Sequence, residues 1–214
     1  HDPKNTTGSG IGATKRRAAY DEDPGCSRGE KSTRSRDQPM SSPENHSVTT
    51  RPFESGDLEV VKRITVEAFS GVSIDEAAEL LFGQVNGHDW KWRKARHIDA
   101  DVAREVDGIL VVESDQGEVV GYITSWQDTE AGIGYIPNLA FVPGWRGRGL
   151  GRKLIELALE RFREAGLTLA KIETLAQNDV GHHLYTSIGF REVARQSHFF
   201  MDLQQASSAD EPTG

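Results

Sequence analysis

Residues 136–155 read IPNLAFVPGWRGRGLGRKLI and join a β-rich run to an amphipathic helix through four glycines in eight residues. Glycine lets the backbone approach a ligand closely and take conformations that are closed to other residues. A helix start offers free N–H groups and partial positive charge, which favour phosphate. Arg146, Arg148 and Arg152 add positive side chains nearby. The stretch therefore predicts a phosphate-binding cradle.

Two common phosphate motifs do not fit this cradle. A P-loop needs lysine after its second glycine, and Leu150 stands there. A dinucleotide fingerprint needs the pattern GxGxxG, which the glycines at 147, 149 and 151 do not complete. A turn without a ligand would need neither the arginines nor the position at a helix start. The loop is thus predicted to bind a phosphate compound of another class.

Two motifs resemble those of the GNAT superfamily of N-acetyltransferases. The first is Arg or Gln, two residues, Gly, one residue, then Gly or Ala, which is here Arg146-x-x-Gly149-x-Gly151. The second is Asn seven residues before a Tyr that opens Tyr-x-x-x-Gly-Phe, and it is matched by Asn178 and by YTSIGF at 185–190. The resemblance covers about residues 48–203 and implies acetyl-CoA as the cosubstrate.

The resemblance also implies roles for individual residues. Backbone N–H groups of the loop would bind the pyrophosphate, the preceding strand would pair with the pantetheine arm, and an N–H near Phe141 or Val142 would stabilise the oxyanion. Asn178 would contact the cofactor, cap the next helix, or do both. The cofactor-binding set is Leu139, Ala140, Phe141, Val142, Arg146, Gly147, Arg148, Gly149, Leu150, Gly151 and Asn178.

Tyr185 would be the general acid that protonates the departing CoA thiolate. A phenol with its ordinary pKa near 10 is protonated at pH 7 and can donate. The alternative is that Tyr185 is an ordinary core aromatic.

The base that accepts the proton of the amine is left open by the sequence. Many relatives carry a Glu on the strand before the loop, where this chain has Gly134 and Tyr135. Glu173, on the next predicted strand, joins Tyr185 in the predicted catalytic set. His182, His183 or a chain of waters are alternatives, because imidazole titrates near neutral pH.

Hydrophobic periodicity predicts an α/β (α+β) layer fold around the cradle. With the resemblance, we expect a GNAT-like fold: a central mixed, mostly antiparallel sheet of six to seven strands, flanked by about four helices and splayed at the cofactor site. Helices are predicted over 58–69, 74–82, 150–165 and 180–188, residues 84–107 are predicted to be irregular, and residues 193–203 one strand or two. Pro143 suits the splay because proline donates no ladder hydrogen bond.

The domain boundaries follow from composition. We expect an acetyltransferase domain over 48–203, a disordered polar tail over 1–47 and a second polar tail over 204–214. Residues 1–39 are interpreted as an extension ahead of Met40.

Charge and cysteine content limit the partners. The formal net charge of −8 argues against nucleic-acid binding, which needs a basic surface. The one cysteine, Cys26, allows neither an internal disulfide nor a metal site with paired cysteines, and it fits a reducing compartment. We therefore predict no metal and a cytoplasmic location. No apolar run approaches the roughly 20 residues of a membrane helix, so no membrane partner is expected.

The function predicted is acetyl transfer from acetyl-CoA to a primary amine of a small molecule, a protein N-terminus or a lysine. Because Cys26 lies outside the predicted fold, we expect direct attack in a ternary complex. The alternative is a non-catalytic acyl-CoA-binding sensor or regulatory module. A homodimer is the oligomer to expect among relatives. Candidates to line the acceptor site are Trp90, Trp92, Tyr122, Trp126 and Tyr135, with Glu113, Asp128 and Glu130 to attract a cation.

Overall fold

The computed structural model describes residues 47–206, and a five-stranded sheet lies at its centre. The strands follow chain order across the sheet: β1 (Val48–Pro52), β2 (Ile109–Ser114), β3 (Val119–Asp128), β4 (Ile133–Phe141) and β5 (Leu169–Ile172). The first four are antiparallel, and β5 runs parallel to β4. The mixed, mostly antiparallel sheet is confirmed, with five strands where six to seven were expected. Of the tails predicted over 1–47 and 204–214, residues 1–46 and 207–214 lie outside the described residues.

Helices cover both faces of the sheet. On one face, α1 (Leu58–Phe69) and α3 (Trp90–Glu105) pack on the strands, and α2 (Ile74–Phe82) packs on α3. On the other face lie α4 (Leu150–Glu164) and α5 (Asp179–Ile188), and a short α6 (Leu203–Ala206) follows. We call these the α1/α3 face and the α4/α5 face. Each has a core of fully buried aliphatic side chains, with Val61, Ile64, Ile98 and Val111 on the first and Ile123, Leu154 and Ile155 on the second.

The prediction that residues 84–107 are irregular is wrong, because α3 fills most of that segment. Asp89 caps the helix by accepting the N–H of Trp92 at 2.8 Å. Its buried positions are Trp90, Lys94 and Ile98, which recur every four residues. A lysine in the middle of this stripe hid the apolar period in the sequence. The two tryptophans therefore do not share a face: Trp90 is 8% exposed and Trp92 is 43% exposed.

The strand predicted over 193–203 is also wrong. Residues 190–202 form neither helix nor strand, and Val193 and Phe199 are 95% and 92% exposed. A β-rich composition makes a strand only where a neighbouring strand supplies backbone partners. The edge strand β5 has only four residues and ends at Ile172. The missing strands account for the smaller sheet.

The sheet separates where β4 passes a bulge. Thr124 pairs with Asn138 and Trp126 pairs with Tyr135, so Ile136 and Pro137 together oppose Ser125. Pairing between β4 and β5 runs over Ile133–Ile136 and stops there. Beyond this point β4 continues to Phe141 with β3 on one edge only. The splay is present, but it begins at Pro137, six residues before Pro143, which lies in a short 3₁₀ turn after the strand.

Gly134 should be required for packing of α4 on β4. A Cβ added there would lie 2.4 Å from ring carbons of Phe162, which is 3% exposed. We expect Gly134→Ala to lower the free energy of unfolding by about 1–3 kcal/mol, the usual cost of overpacking a core. Urea denaturation measures it. Gly56→Ala is the control, since a Cβ at Gly56 meets no atom within 4 Å. Equal stability of the two variants would contradict the packing described.

Candidate active site

The edge of β4 that faces away from β3 is open from Pro137 to Phe141. The N–H of Val142 donates to the carbonyl of Val120 at 3.0 Å, so Val142 bonds toward β3. Backbone groups of successive residues point to opposite edges of a strand. The N–H of Phe141, and by the same alternation that of Leu139, therefore points toward the edge that β5 has left. Of the two residues expected to supply an oxyanion donor, Phe141 is the one with a suitably directed N–H.

At the start of α4, no side chain of the helix accepts from the unpaired N–H groups or offsets their partial positive charge. Its N-cap is Gly149 in the left-handed region at φ +78°, with no side-chain cap and no acidic residue in the first turn. In contrast, α2 carries Asp75 and Glu76 in its first turn, and α5 is capped by Asn178. The first N–H groups of a helix lack intrahelical partners. The N–H groups at the start of α4 therefore form a concave donor set suited to an anion.

The three arginines of the loop have different structural roles. Arg146 donates from Nε to the carbonyl of Phe141 at 2.9 Å and so ties the loop to β4. Arg152 donates to the hydroxyl of Ser187 at 2.8 Å and joins α4 to α5. The guanidinium of Arg148 lies over the ring of Trp145, 4.6 Å from its centroid. Two of the cations thus also hold the loop in shape, which the sequence did not indicate.

Asn178 and Tyr185 lie on the α4/α5 face. Asn178 Oδ1 accepts the N–H of Gly181 at 3.2 Å, and its Nδ2 donates to Thr174 Oγ1 at 2.8 Å. The capping role is therefore present, while a cofactor contact stays a prediction. Tyr185 packs against the core under α4 and meets Phe190 edge-on at 6.3 Å between ring centroids. Burial raises the pKa of Tyr185 above its ordinary value near 10, so its hydroxyl stays protonated at neutral pH.

The predicted candidates for the base are dispersed. Glu173 follows the end of β5, its side chain is 70% exposed, and Lys171 holds its carboxylate at 2.7 Å. His183 is exposed on α5. His182 lies one turn before Tyr185, and its buried Nε2 has no hydrogen-bond partner within residues 47–206. Glu173 thus lies just after β5, and both histidines lie on α5.

Several residues proposed to line an acceptor site are used by the fold. Tyr122 is fully buried, and its hydroxyl lies 2.6 Å from Thr65 Oγ1, so it lines no open surface. Trp126 and Tyr135 stack with centroids 3.8 Å apart, with Arg104 over Trp126. The carboxylate of Glu113 accepts from Arg51 at 2.8 Å. Asp128 accepts the N–H of Ala131 at 2.9 Å, which closes the β3–β4 turn.

A buried polar network that sequence reasoning missed lies on the α1/α3 face beside the open edge. Asn138 of β4 accepts from Lys94 Nζ at 3.1 Å and donates to Asp101 Oδ2 at 2.7 Å. Thr124 also donates to Asp101, at 2.8 Å. Burial lowers the pKa of Lys94 and raises the pKa of Asp101. The cap at Asp89 and the four-residue spacing of α3 were the signals that could have brought these residues together.

Within residues 47–206, no group of three or more His, Cys, Asp or Glu side chains is arranged to hold a metal ion. None of the helices in the described part of the chain is long and apolar enough to cross a membrane.

Known proteins share this sequence pattern and fold. The sequence profile of the Acetyltransferase (GNAT) family matches residues 73–190. An uncharacterized N-acetyltransferase of Archaeoglobus fulgidus is 30% identical over 146 residues, which are 66% of this chain and 91% of that protein. N-alpha-acetyltransferase 30 of Schizosaccharomyces pombe is 28% identical over 94 residues, which are 42% of this chain and 63% of that protein.

Solved structures give the same result for the fold. The PaiA N-acetyltransferase of Thermoplasma acidophilum, determined in complex with coenzyme A, superposes with a TM-score of 0.54 at 19% identity, over 68% of this chain and 90% of that one. The match to the family profile and the Archaeoglobus relative show that this likeness holds in sequence as well as in fold. The chain therefore belongs to the GNAT family of acetyltransferases, enzymes that move an acetyl group from acetyl-CoA to an amine.

Proposed function

We propose that this chain acetylates a primary amine by direct attack of the amine on acetyl-CoA within a ternary complex. The observation that carries the proposal is the open edge of β4 between Pro137 and Phe141, which leads into the uncapped start of α4. A strand edge suits the amide groups of a pantetheine arm, and a helix start suits a pyrophosphate. The two lie in tandem along one piece of chain.

Donor binding follows from this geometry. The N–H groups at Gly149, Leu150 and Gly151 would hold the pyrophosphate, with Arg148 adding positive charge. The pantetheine arm would pair with β4 as a further strand, through Leu139 and Phe141. The N–H of Phe141 would then polarise the thioester carbonyl and stabilise the oxyanion that forms on attack. Asn178 would support the far side of the arm from the start of α5.

Turnover then needs two proton transfers. The amine nitrogen attacks the thioester carbon and must lose a proton, and the CoA sulfur must gain one as the C–S bond breaks. Tyr185 would supply the proton to the sulfur, since burial keeps its phenol protonated. Glu173 stays a weaker candidate for the base, because its carboxylate is paired with Lys171 and mostly exposed.

The acceptor class proposed is a cationic primary amine, on a small molecule or at the end of a peptide. A relative named N-alpha-acetyltransferase supports testing peptide N-termini first. The acidic net charge of the chain would attract a cation. A cytoplasmic location and a homodimer are kept as proposals from the cysteine content and the family.

The experiment that tests this function measures thiol release from acetyl-CoA with a panel of peptides, polyamines and amino acids. Acceptor-dependent release, with one acetyl group found on the amine by mass spectrometry, is the expected result. Tight binding of CoA without release for any acceptor would instead support the sensor.

Gly151 offers a test of the pyrophosphate cradle free of backbone strain. Gly147 and Gly149 lie in the left-handed region, with φ of +72° and +78°, so any side chain at either position is strained. Gly151 instead lies inside the first turn of α4. We expect Gly151→Val to weaken CoA binding at least about tenfold, because its extra carbons would press on Leu184, Leu139 and Phe141 and displace the start of α4 from β4. Calorimetric titration with CoA gives the affinity.

Gly151→Ala is the matched control. Its Cβ would make ordinary contacts, the shortest being 3.4 Å to Leu184, and alanine suits a helix. CoA affinity within threefold of wild type is expected for it. If Gly151→Val bound CoA as tightly as Gly151→Ala, the cradle would be placed wrongly.

Tyr185→Phe should reduce kcat about 10²- to 10³-fold, the usual range for loss of a general acid. Phenylalanine keeps the packing against Phe190, so the melting temperature and the CoA affinity should stay close to wild type. Steady-state thiol release and calorimetry measure the three quantities. Unchanged kcat would remove Tyr185 from the mechanism.

A further inference from the structure

One stripe of α3 lies beside the open edge of β4. Lys94, His97 and Asp101 are three and seven residues apart, which brings them to the same side of the helix. The first and last of them both bond to the side chain of Asn138, at 3.1 and 2.7 Å. Asn138 directly precedes Leu139 on the open segment of β4. His97 therefore lies on the same side of α3 as the two residues that bond to this strand.

His97 is oriented by a carboxylate of a neighbouring helix. Its Nε2 lies 3.3 Å from Asp75 Oδ2, and half of its side chain, 52%, is exposed. Asp75 is itself fixed, because Arg93 donates to its backbone carbonyl at 3.0 Å and approaches its Oδ1 at 3.7 Å. The hydrogen bond with His97 lowers the pKa of Asp75, so the group is a carboxylate at neutral pH. A carboxylate can only accept, so the proton of the neutral imidazole sits on Nε2 and the lone pair on Nδ1.

We propose that His97 is the general base that takes the proton from the acceptor amine, and that Asp75 is its positioning residue. This assignment rests on the proposed acetyl transfer, and it names the residue that accepts the proton of the amine. A base oriented by a third group, accessible to solvent on one side, is the arrangement that activates nucleophiles in other enzymes. The α1/α3 face would thus serve the amine, and the α4/α5 face, with Tyr185, the leaving thiolate.

The chemistry balances with these two groups. The amine nitrogen forms a bond to the carbonyl carbon, and its proton passes to Nδ1 of His97, directly or through one water. The tetrahedral intermediate collapses, the C–S bond breaks, and the sulfur takes the proton of the Tyr185 hydroxyl. The acceptor ammonium loses its first proton to solvent before the attack, the imidazolium later returns a second proton to solvent, and the tyrosine regains one. An amide, free CoA and one proton are therefore the net products.

The charges around His97 come from two helices. Asp75 of α2 faces it directly, and Asp101 and Lys94 lie along α3 itself, with Arg93 behind Asp75. From the sheet, Asn138 and Thr124 contribute neutral groups that bond to Asp101. Glu173 is paired instead with Lys171, and the buried Nε2 of His182 has no hydrogen-bond partner within residues 47–206.

The test is His97→Ala, assayed with acetyl-CoA and the best acceptor of the wild-type enzyme. We expect kcat/KM for the amine to fall about 10²-fold or more, while CoA affinity and melting temperature stay unchanged because the side chain is half exposed. Added imidazole should restore at least a tenth of the lost rate. The acidic limb of the pH profile of kcat/KM should disappear in the variant and return with imidazole. His88→Ala is the control, since His88 precedes α3 and stacks on Trp92 instead.

The Asp75→Asn variant tests whether the carboxylate of Asp75 positions His97, because asparagine has nearly the same size and shape as aspartate. Asparagine keeps the backbone bond to Arg93 but places no carboxylate at Nε2. We expect kcat to fall at least about tenfold, with KM for the amine little changed, and the double variant to be no slower than His97→Ala alone. His97→Ala with kcat/KM within threefold of wild type, or a loss that imidazole does not restore, would overturn the proposal. A wild-type enzyme that acetylates no amine would refute the proposed function itself, which distinguishes the two failures.

Discussion

The rest of the site depends on one constraint: beyond Ile136, β4 pairs with another strand on one edge only. β3 bonds to the whole strand, whereas β5 bonds only to Ile133–Ile136. The bulge at Pro137 ends the shared part, because a proline donates no ladder bond and the extra residue turns the strand. The strand stays rigid on one edge while its other edge is free to take a ligand. Every residue proposed to act on the donor is placed relative to that free edge.

The buried network around Asn138 keeps the second layer in register with this edge. Removing a charge from water costs several kcal/mol, and Lys94 and Asp101 offset that cost only through bonds of good geometry. Apolar side chains could pack α3 on β4 without this cost. A polar network permits one relative position of α3 and β4, because a shift would leave Lys94 without its acceptor. Its energetic effect is thus specificity of placement rather than added stability.

Much of this fold could be predicted from local signals. α1 and α2 begin and end at the predicted residues, although neither Asp57 nor Ser73 makes a side-chain cap hydrogen bond; Gly83 ends α2 in a positive-φ conformation. The cradle was predicted because strand, loop and helix start are contiguous in the chain. α3 was missed because Lys94 occupies a core position, and the strand over 193–203 was wrong because pairing is not a local property. Asp75, His97 and Asn138 come from three separate elements, so no spacing in the sequence brings them together.

The central claim is that acetyl-CoA lies along the open edge of β4 with its pyrophosphate at the start of α4. A crystal structure of the chain with CoA tests it most directly. The account predicts phosphate oxygens within hydrogen-bond distance of the N–H groups of Gly149 and Gly151. It also predicts a pantetheine amide paired with the backbone of Leu139 or Phe141, and the sulfur near the hydroxyl of Tyr185. A CoA molecule bound elsewhere, with β4 and β5 paired beyond Ile136, would contradict it.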